Sequence, residues 1–289
     1  MQFDELSYAN AEDPPLKRSL VHFLERMAGR DYFAPLYDRW RNETVPLGLP
    51  VIRPMLGLID VELEIRSAAP WPPALAPDRP LVLIANHPFG ILDGIAALTL
   101  AEDLGRPFKV LINMELMKVP ELRPYSLPID FRETREAQAT NIKTRDEAIR
   151  ILGEGTTIIV FPAGGVATAQ RPFGRAVELP WKLFTARMVQ SARASVLPVY
   201  FEGQCGPLFH LASRVSMTLR LSLLIREFRR SVGRRITAHV GDIVPFEALN
   251  HRSERKALLQ ELHGLVHALE PDGTSGDRRQ ERVKLRVGA

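Results

Sequence analysis

Apolar residues at Leu16, Leu20, Phe23, Leu24 and Met27 recur three and four apart. That is the spacing of one helix face, and it predicts an amphipathic helix ending near Gly29. A second apolar segment, Leu47–Ile59, carries Leu49, Val51, Ile52, Met55, Leu56, Leu58 and Ile59 around Pro50 and Pro54. It is too apolar for a solvated linker and reads either as core or as an apolar ledge that meets lipid. After a Pro-rich hinge, Ala68–Pro80, the pattern changes. Short β-rich runs at Leu81–Ala85, Phe108–Ile112, Leu127–Phe131, Thr156–Phe161, Val196–Phe201 and Arg235–Val240 alternate with helical stretches at Asp93–Leu104, Ala139–Leu152, Pro180–Ala192 and Glu254–Leu269. Such alternation predicts an α/β fold, a central mixed and largely parallel sheet flanked by helices. The expected organisation is an N-terminal leader and helical, membrane-facing segment over 1–69, a catalytic domain over 70–270, and a basic, disordered tail over 271–289 whose charges run from Asp277 to Val287.

Composition narrows the class. Of 289 residues, 45% are hydrophobic and 25% charged, which excludes a disordered or collagen-like chain. The net charge is only +4, yet seven arginines between Arg214 and Arg235 face one carboxylate, Glu227, so the excess is concentrated there. A cluster with only Phe228 interleaved lacks the aromatic platforms of nucleic-acid binding, and an anionic membrane surface is the better partner. The acidic start does not resemble a secretory signal, and no apolar run reaches the ~20 residues of a bilayer span. One cysteine, Cys205, suits a reducing compartment, and the seven histidines show no metal-ligand spacing, so neither a metal nor a redox cofactor is expected. No nucleotide-binding loop occurs, since Gly153-Glu154-Gly155 follows a helix rather than a strand.

Three strand ends carry the candidate chemistry. Leu81–Ala85 leads into Asn86-His87-Pro88-Phe89-Gly90-Ile91-Leu92-Asp93, where Asp93 opens a helix and can reach the His87 ring. A neutral histidine held by a carboxylate is a competent general base; the alternative is a satisfied turn histidine beside a helix cap. The run Thr156–Phe161 leads into Pro162-Ala163-Gly164-Gly165-Val166, whose backbone N–H groups could stabilise an oxyanion. Val196–Phe201 ends in Glu202-Gly203-Gln204 and would share the same sheet edge. Cys205 with His210 is a lesser nucleophile candidate.

In this order and at these separations, Asn86-His87 through Asp93, Phe161-Pro162-Ala163-Gly164 and Leu197-Pro198-Val199-Tyr200 resemble the glycerolipid (lysophospholipid) acyltransferase superfamily. The likeness covers about residues 80–245 and is greatest to the hemolysin-like branch that includes acyltransferases of bacterial ornithine and related aminolipids. The resemblance implies transfer of a fatty acyl chain from an acyl thioester, acyl carrier protein or coenzyme A, to a lysolipid hydroxyl. It makes His87 and Asp93 catalytic, and Asn86, Phe89, Gly90, Arg132, Phe161, Pro162, Ala163, Gly164 and Gly165 substrate-binding. The expected location is peripheral, on the cytoplasmic face of a bacterial inner membrane.

This chain departs from the superfamily pattern twice. Five residues separate His87 from Asp93 where four are usual, and the Phe-Pro-Glu-Gly-Thr-Arg loop reads Phe161-Pro162-Ala163-Gly164-Gly165-Val166, losing a Glu and an Arg. A phosphate monoester is poorly held without a guanidinium fork. A lyso-aminolipid is therefore the expected acceptor. The alternatives are a lysophosphatidate acyltransferase and a catalytically idle, lipid-binding membrane-surface protein.

Overall fold

A computed structural model describes residues 4–7, 9, 14–48, 50–74, 79–215 and 217–271. The expected basic tail lies outside the described residues. In chain order the principal elements are α1 (Pro15–Ala28), α2 (Arg30–Arg39), α3 (Arg53–Leu58), β1 (Glu62–Ser67), β2 (Leu81–Ala85), α4 (Ile91–Asp103), β3 (Phe108–Asn113), β4 (Ser126–Ile129), α5 (Arg135–Gly153), β5 (Thr157–Val160), α6 (Phe184–Ala192), β6 (Ser195–Phe201), α7 (Pro207–Ser213), α8 (Met217–Arg230), β7 (Arg235–Val240) and α9 (Arg255–His267).

The strands form one sheet in the order β1-β7-β6-β2-β5-β3-β4, and every neighbouring pair is parallel except β6 and β7. This is the mixed, largely parallel sheet flanked by helices that the sequence pattern predicts. All residues of β2, β5 and β6 are buried, as parallel strands covered on both faces must be. Their side chains alternate between two cores. Leu81, Leu83, Ile159, Leu197 and Val199 join Val51, Ile52 and Leu56 and the α4 residues Ala96, Ala97 and Leu100 on one face. Val82, Ile84, Ile158, Val160 and Val196 meet Leu152 of α5, Met188 of α6 and Leu262 of α9 on the other. Because β6, β2 and β5 are adjacent and parallel, their carboxyl ends stand side by side, which brings the three candidate loops to one edge.

Three expectations change. Val51, Ile52, Leu56 and Ile59 are buried in the core, so the Leu47–Ile59 segment is packing rather than a lipid-facing ledge; only Leu47 among its described apolar residues is strongly exposed. The strand β1, absent from the expected strands, pairs with β7 along its whole length, so a boundary at residue 69 cuts an edge strand from its own sheet. Finally, the arginine cluster, expected to present one basic surface to an anionic membrane, does not form a single face. Most of it lies on α8, which wraps its arginines around different partners. Arg226 and Arg230 contact Glu227, the Arg229 guanidinium sits 3.4 Å from the centre of the Tyr32 ring, and Arg235 on β7 pairs with Glu62.

The first helix forms as its spacing predicts and ends at Gly29, whose φ of 107° is open to glycine and strained for other residues. It packs against α8. Its outer face leaves Leu16, Leu20, Phe23 and Met27 exposed by 87, 53, 58 and 72%, an unbroken apolar stripe. No helix among the described residues is long and apolar enough to cross a membrane.

Candidate active site

His87 leaves the end of β2 and Asp93 stands in the first turn of α4, which begins two residues earlier than expected, at Ile91. The Asp93 carboxylate is fully buried. Its Oδ2 accepts the Phe89 N–H at 2.9 Å and lies 3.2 Å from His87 Nδ1. One oxygen thus ties the turn that precedes the helix and addresses the imidazole. The contact is within ion-pair reach but off the hydrogen-bond line, and Nδ1 has no hydrogen-bond partner among the described residues. Catalytic pairs are often misaligned before substrate arrives and tighten afterwards.

The five-residue separation is absorbed at Gly90, with φ 84° and ψ −86°, a reversal that residues with a Cβ adopt only under strain. Space demands glycine as well. A Cβ there would stand 2.9 Å from Val166 Cγ2 and 3.0 Å from Leu224 Cδ2. Gly90 is therefore where the chain folds back tightly enough for His87 and Asp93 to meet.

Around the imidazole the site is built from several loops. The Phe161 ring stacks on His87 with centroids 4.2 Å apart. The His87 carbonyl accepts the Ala167 N–H at 2.8 Å. The His87 N–H donates to Glu178 Oε1 at 2.9 Å, while Glu178 Oε2 accepts from Trp181 Nε1 at 3.0 Å and stands 3.4 Å from His267 Nε2. Burial pushes the Glu178 carboxyl up, but its contacts with His267 and Trp181 and the His87 N–H outweigh that and hold it below the usual carboxylate range. No local pattern in the sequence marks Glu178, which lies 91 residues from His87 in a loop.

The other predicted site residues sort by what they touch. Asn86 is buried with both halves of its amide spent on β6, accepting from the Phe201 N–H at 2.6 Å and donating to the Phe201 carbonyl at 2.9 Å, so it clamps two strand ends and is not a substrate contact. Phe89 packs on Gly203, where a Cβ would come within 2.6 Å of its ring. Pro162 and Ala163 are buried beneath the loop. The Gly164 N–H closes a turn onto the Phe161 carbonyl at 2.9 Å, so it cannot serve an oxyanion, and the expected pair of donors reduces to Gly165 and its neighbour Val166, neither of which has a hydrogen bond to its N–H among the described residues. Arg132 is exposed and gripped by Asp130, whose carboxyl the guanidinium's hydrogen bonds hold below its ordinary range, chiefly against burial. Its neighbour Phe131 reaches within 3.7 Å of where a Cβ on Gly164 would stand. The thiol candidate falls: Cys205 is buried, and burial first, then the Glu227 and Asp93 charges, push its thiol far above the range in which a thiolate forms. His210 is a core histidine whose Nδ1 accepts the Ala169 N–H.

A histidine beside a buried carboxylate, with backbone N–H groups that have no hydrogen bond among the described residues, stands at one sheet edge, an arrangement compatible with acyl transfer. The model of the Acyltransferase family matches residues 73–229, more than half of the chain, and the protein belongs to that family and is an acyltransferase. The chain is also similar to the crystal structure of the 1-acyl-sn-glycerophosphate (LPA) acyltransferase PlsC from Thermotoga maritima, at 14% sequence identity and a TM-score of 0.46, over 88% of this chain and 98% of that one. No curated protein matches.

Proposed function

We propose that the protein O-acylates a lysolipid, a lyso-aminolipid of the ornithine-lipid kind, with an acyl carrier protein or coenzyme A thioester as donor. The observation that carries this reading is the 3.2 Å contact of His87 with a fully buried Asp93 at the mouth of the sheet, in a chain of the acyltransferase family. His87 takes the proton from the acceptor hydroxyl while Asp93 stabilises the imidazolium that forms. The hydroxyl oxygen attacks the thioester carbonyl, and the Gly165 N–H faces the developing oxyanion. Collapse breaks the C–S bond; the imidazolium returns the proton to the leaving thiolate, giving an ester and a free thiol.

The acceptor preference is supported by the loop around Phe161, which offers no carboxylate and no guanidinium of its own. Of the neighbouring arginines, Arg132 and Arg175 are held by Asp130 and Glu270, where a dianionic phosphate monoester would have to compete with those carboxylates, and Arg220 donates to the Val166 carbonyl, so a single guanidinium is left to face an acceptor. Docking at the cytoplasmic face of a membrane through the exposed stripe of α1 completes the reading, since a single-chain acceptor resides in the bilayer.

The test is a lysolipid panel with labelled acyl thioester. His87→Ala and Asp93→Asn should each lose about 10²-fold or more in kcat while remaining folded. Higher kcat/KM for lysophosphatidate than for a lyso-aminolipid would refute the acceptor assignment, and near-normal turnover by a folded His87→Ala protein would remove the mechanism.

A further inference from the structure

The loop that lost its arginine has a guanidinium beside it after all, delivered from a different element. Arg220, in the first turns of α8, donates from Nη2 to the Val166 carbonyl at 2.8 Å, and the same nitrogen lies 3.7 Å from where a Cβ on Gly165 would stand. The peptide that joins Val166 to Ala167 is thus held at its carbonyl by Arg220 and at its N–H by the His87 carbonyl. Only one peptide unit separates the guanidinium from the backbone of the proposed base.

Arg220 differs from the arginines around it. Arg132 and Arg175 are paired with Asp130 and Glu270, and the Glu227 carboxylate, two turns along α8, accepts the Gly206 N–H and contacts Arg226 and Arg230. Among the described residues no carboxylate pairs with Arg220. Its guanidinium carbon stands 5.7 Å from the Phe209 ring. It is half-buried, and desolvation holds it below the ordinary arginine range. A guanidinium carries five N–H donors in a planar fork, and the Val166 carbonyl accounts for one. A half-buried cation without a counter-charge is costly to maintain, and an incoming oxyanion supplies what it lacks.

We infer that Arg220 is the anion-receiving residue of the acceptor site, taking the monoanionic carboxylate of a lyso-aminolipid head group while the hydroxyl faces His87. The inference rests on the acyl-transfer reading above and adds to it the group that selects the head. Four N–H donors remain on the guanidinium, enough for a bidentate pair with one carboxylate.

The experiment compares a carboxylate-bearing lyso-aminolipid with its methyl ester as acceptors for the wild type, Arg220→Gln and Arg220→Lys. The ratio of kcat/KM for carboxylate over ester should fall tenfold or more in Arg220→Gln, the size expected when a charge-assisted pair is lost. Arg220→Lys should give an intermediate ratio, because it keeps the charge and loses the fork. The KM of the thioester donor is measured in the same assays; a rise there with an unchanged acceptor ratio would assign the anion to the donor and overturn the inference. So would an unchanged ratio accompanied only by a lower melting temperature. A second measurement needs no variant: modification of Arg220 by an arginine-directed dicarbonyl, mapped by peptide mass, should be slowed by the carboxylate lysolipid in micelles and not by the ester. Equal protection by both would refute the assignment. If the wild type acylates no lysolipid, the functional reading fails, and selective protection of Arg220 still decides the binding question by itself.

Discussion

Replacing Gly90 by alanine tests whether this one residue lets an overlong loop deliver a working pair. Two costs can be read from the structure. The backbone there has φ 84° and ψ −86°, and holding a residue with a Cβ in such a region costs about 1–3 kcal/mol. The new methyl would stand 2.9 Å from Val166 Cγ2 and 3.0 Å from Leu224 Cδ2, overpacking that costs roughly another 1–3 kcal/mol if the neighbours hold still. Together these costs come to about 2–6 kcal/mol against a net stability of about 5–15 kcal/mol, so the variant should melt roughly 4–24 °C lower. The neighbours that must yield are not neutral. Val166 precedes the N–H that binds the His87 carbonyl, and Leu224 is one turn from Arg220 on α8. Displacement on the order of 1 Å at a catalytic pair costs about 10²-fold in rate. Denaturant unfolding with steady-state turnover on detergent-dispersed lysolipid reads both effects. A Gly90→Ala protein with unchanged stability and unchanged kcat would show that the fifth residue is accommodated elsewhere and that the pair does not depend on this turn.

Two further outcomes follow from the same geometry. Glu178→Gln removes a carboxylate whose folded pKa is depressed; such a group contributes stability above its unfolded value, lost as pH falls through the folded one, so the variant should be less stable at pH 7 and should show a flatter loss of stability below about pH 5 in urea titrations. An identical pH profile would mean that Glu178 does not anchor the His87 backbone. Leu20→Ser combined with Phe23→Ser should leave the melting temperature unchanged, because both side chains are already exposed, yet lower sedimentation with vesicles and activity on vesicle-borne lysolipid about tenfold or more relative to detergent-dispersed lysolipid; equal losses in both formats would refute docking through α1.

What the sequence disclosed follows from how much of each element is buried. The ends of β2 and β7 are legible in the sequence, and those of β3, β5 and β6 to within a residue, the first and the last three as apolar runs of Leu, Val and Ile and β7 through the alternation of buried Ile236, Ala238 and Val240 with more exposed neighbours. The edge strand β1 escaped because Glu62-Leu63-Glu64-Ile65-Arg66-Ser67 is half-exposed and charged on one face, so it resembles a linker until β7 lies beside it. The helix α8 escaped for a related reason: its arginines drew attention as a charge cluster, while the apolar residues between them, Leu224, Ile225 and Phe228, are the ones that set its orientation. The histidine and aspartate were legible because they sit close in sequence at a strand end. Glu178 and Arg220 were not, since each reaches the site from a distant element and no local spacing announces either.

That last difference bears on how, on the proposed reading, a loop without charges still leaves a site that takes an anion. The Phe161–Val166 loop belongs to the sheet edge, where backbone position is fixed by β5. The helix α8 is fixed by other means: it packs on α1, Arg229 fills the space beside Gly29 at the joint of α1 and α2, and the Phe228 ring stacks on Phe33 at 4.5 Å. From Arg229 back to Arg220 is nine residues, about 14 Å along the helix at 1.5 Å per residue. The same rod therefore carries the proposed head-group cation at one end and rests at its other end on the elements beside the apolar stripe. On the proposed reading, a single-chain lipid can leave its tail in the interfacial layer with α1 and extend its head along α8 to Arg220 without full extraction from the bilayer. A cation placed in the loop itself would be positioned only by the sheet; placed on α8, it is positioned by the helix that packs on α1, the element that on the proposed reading docks on the membrane.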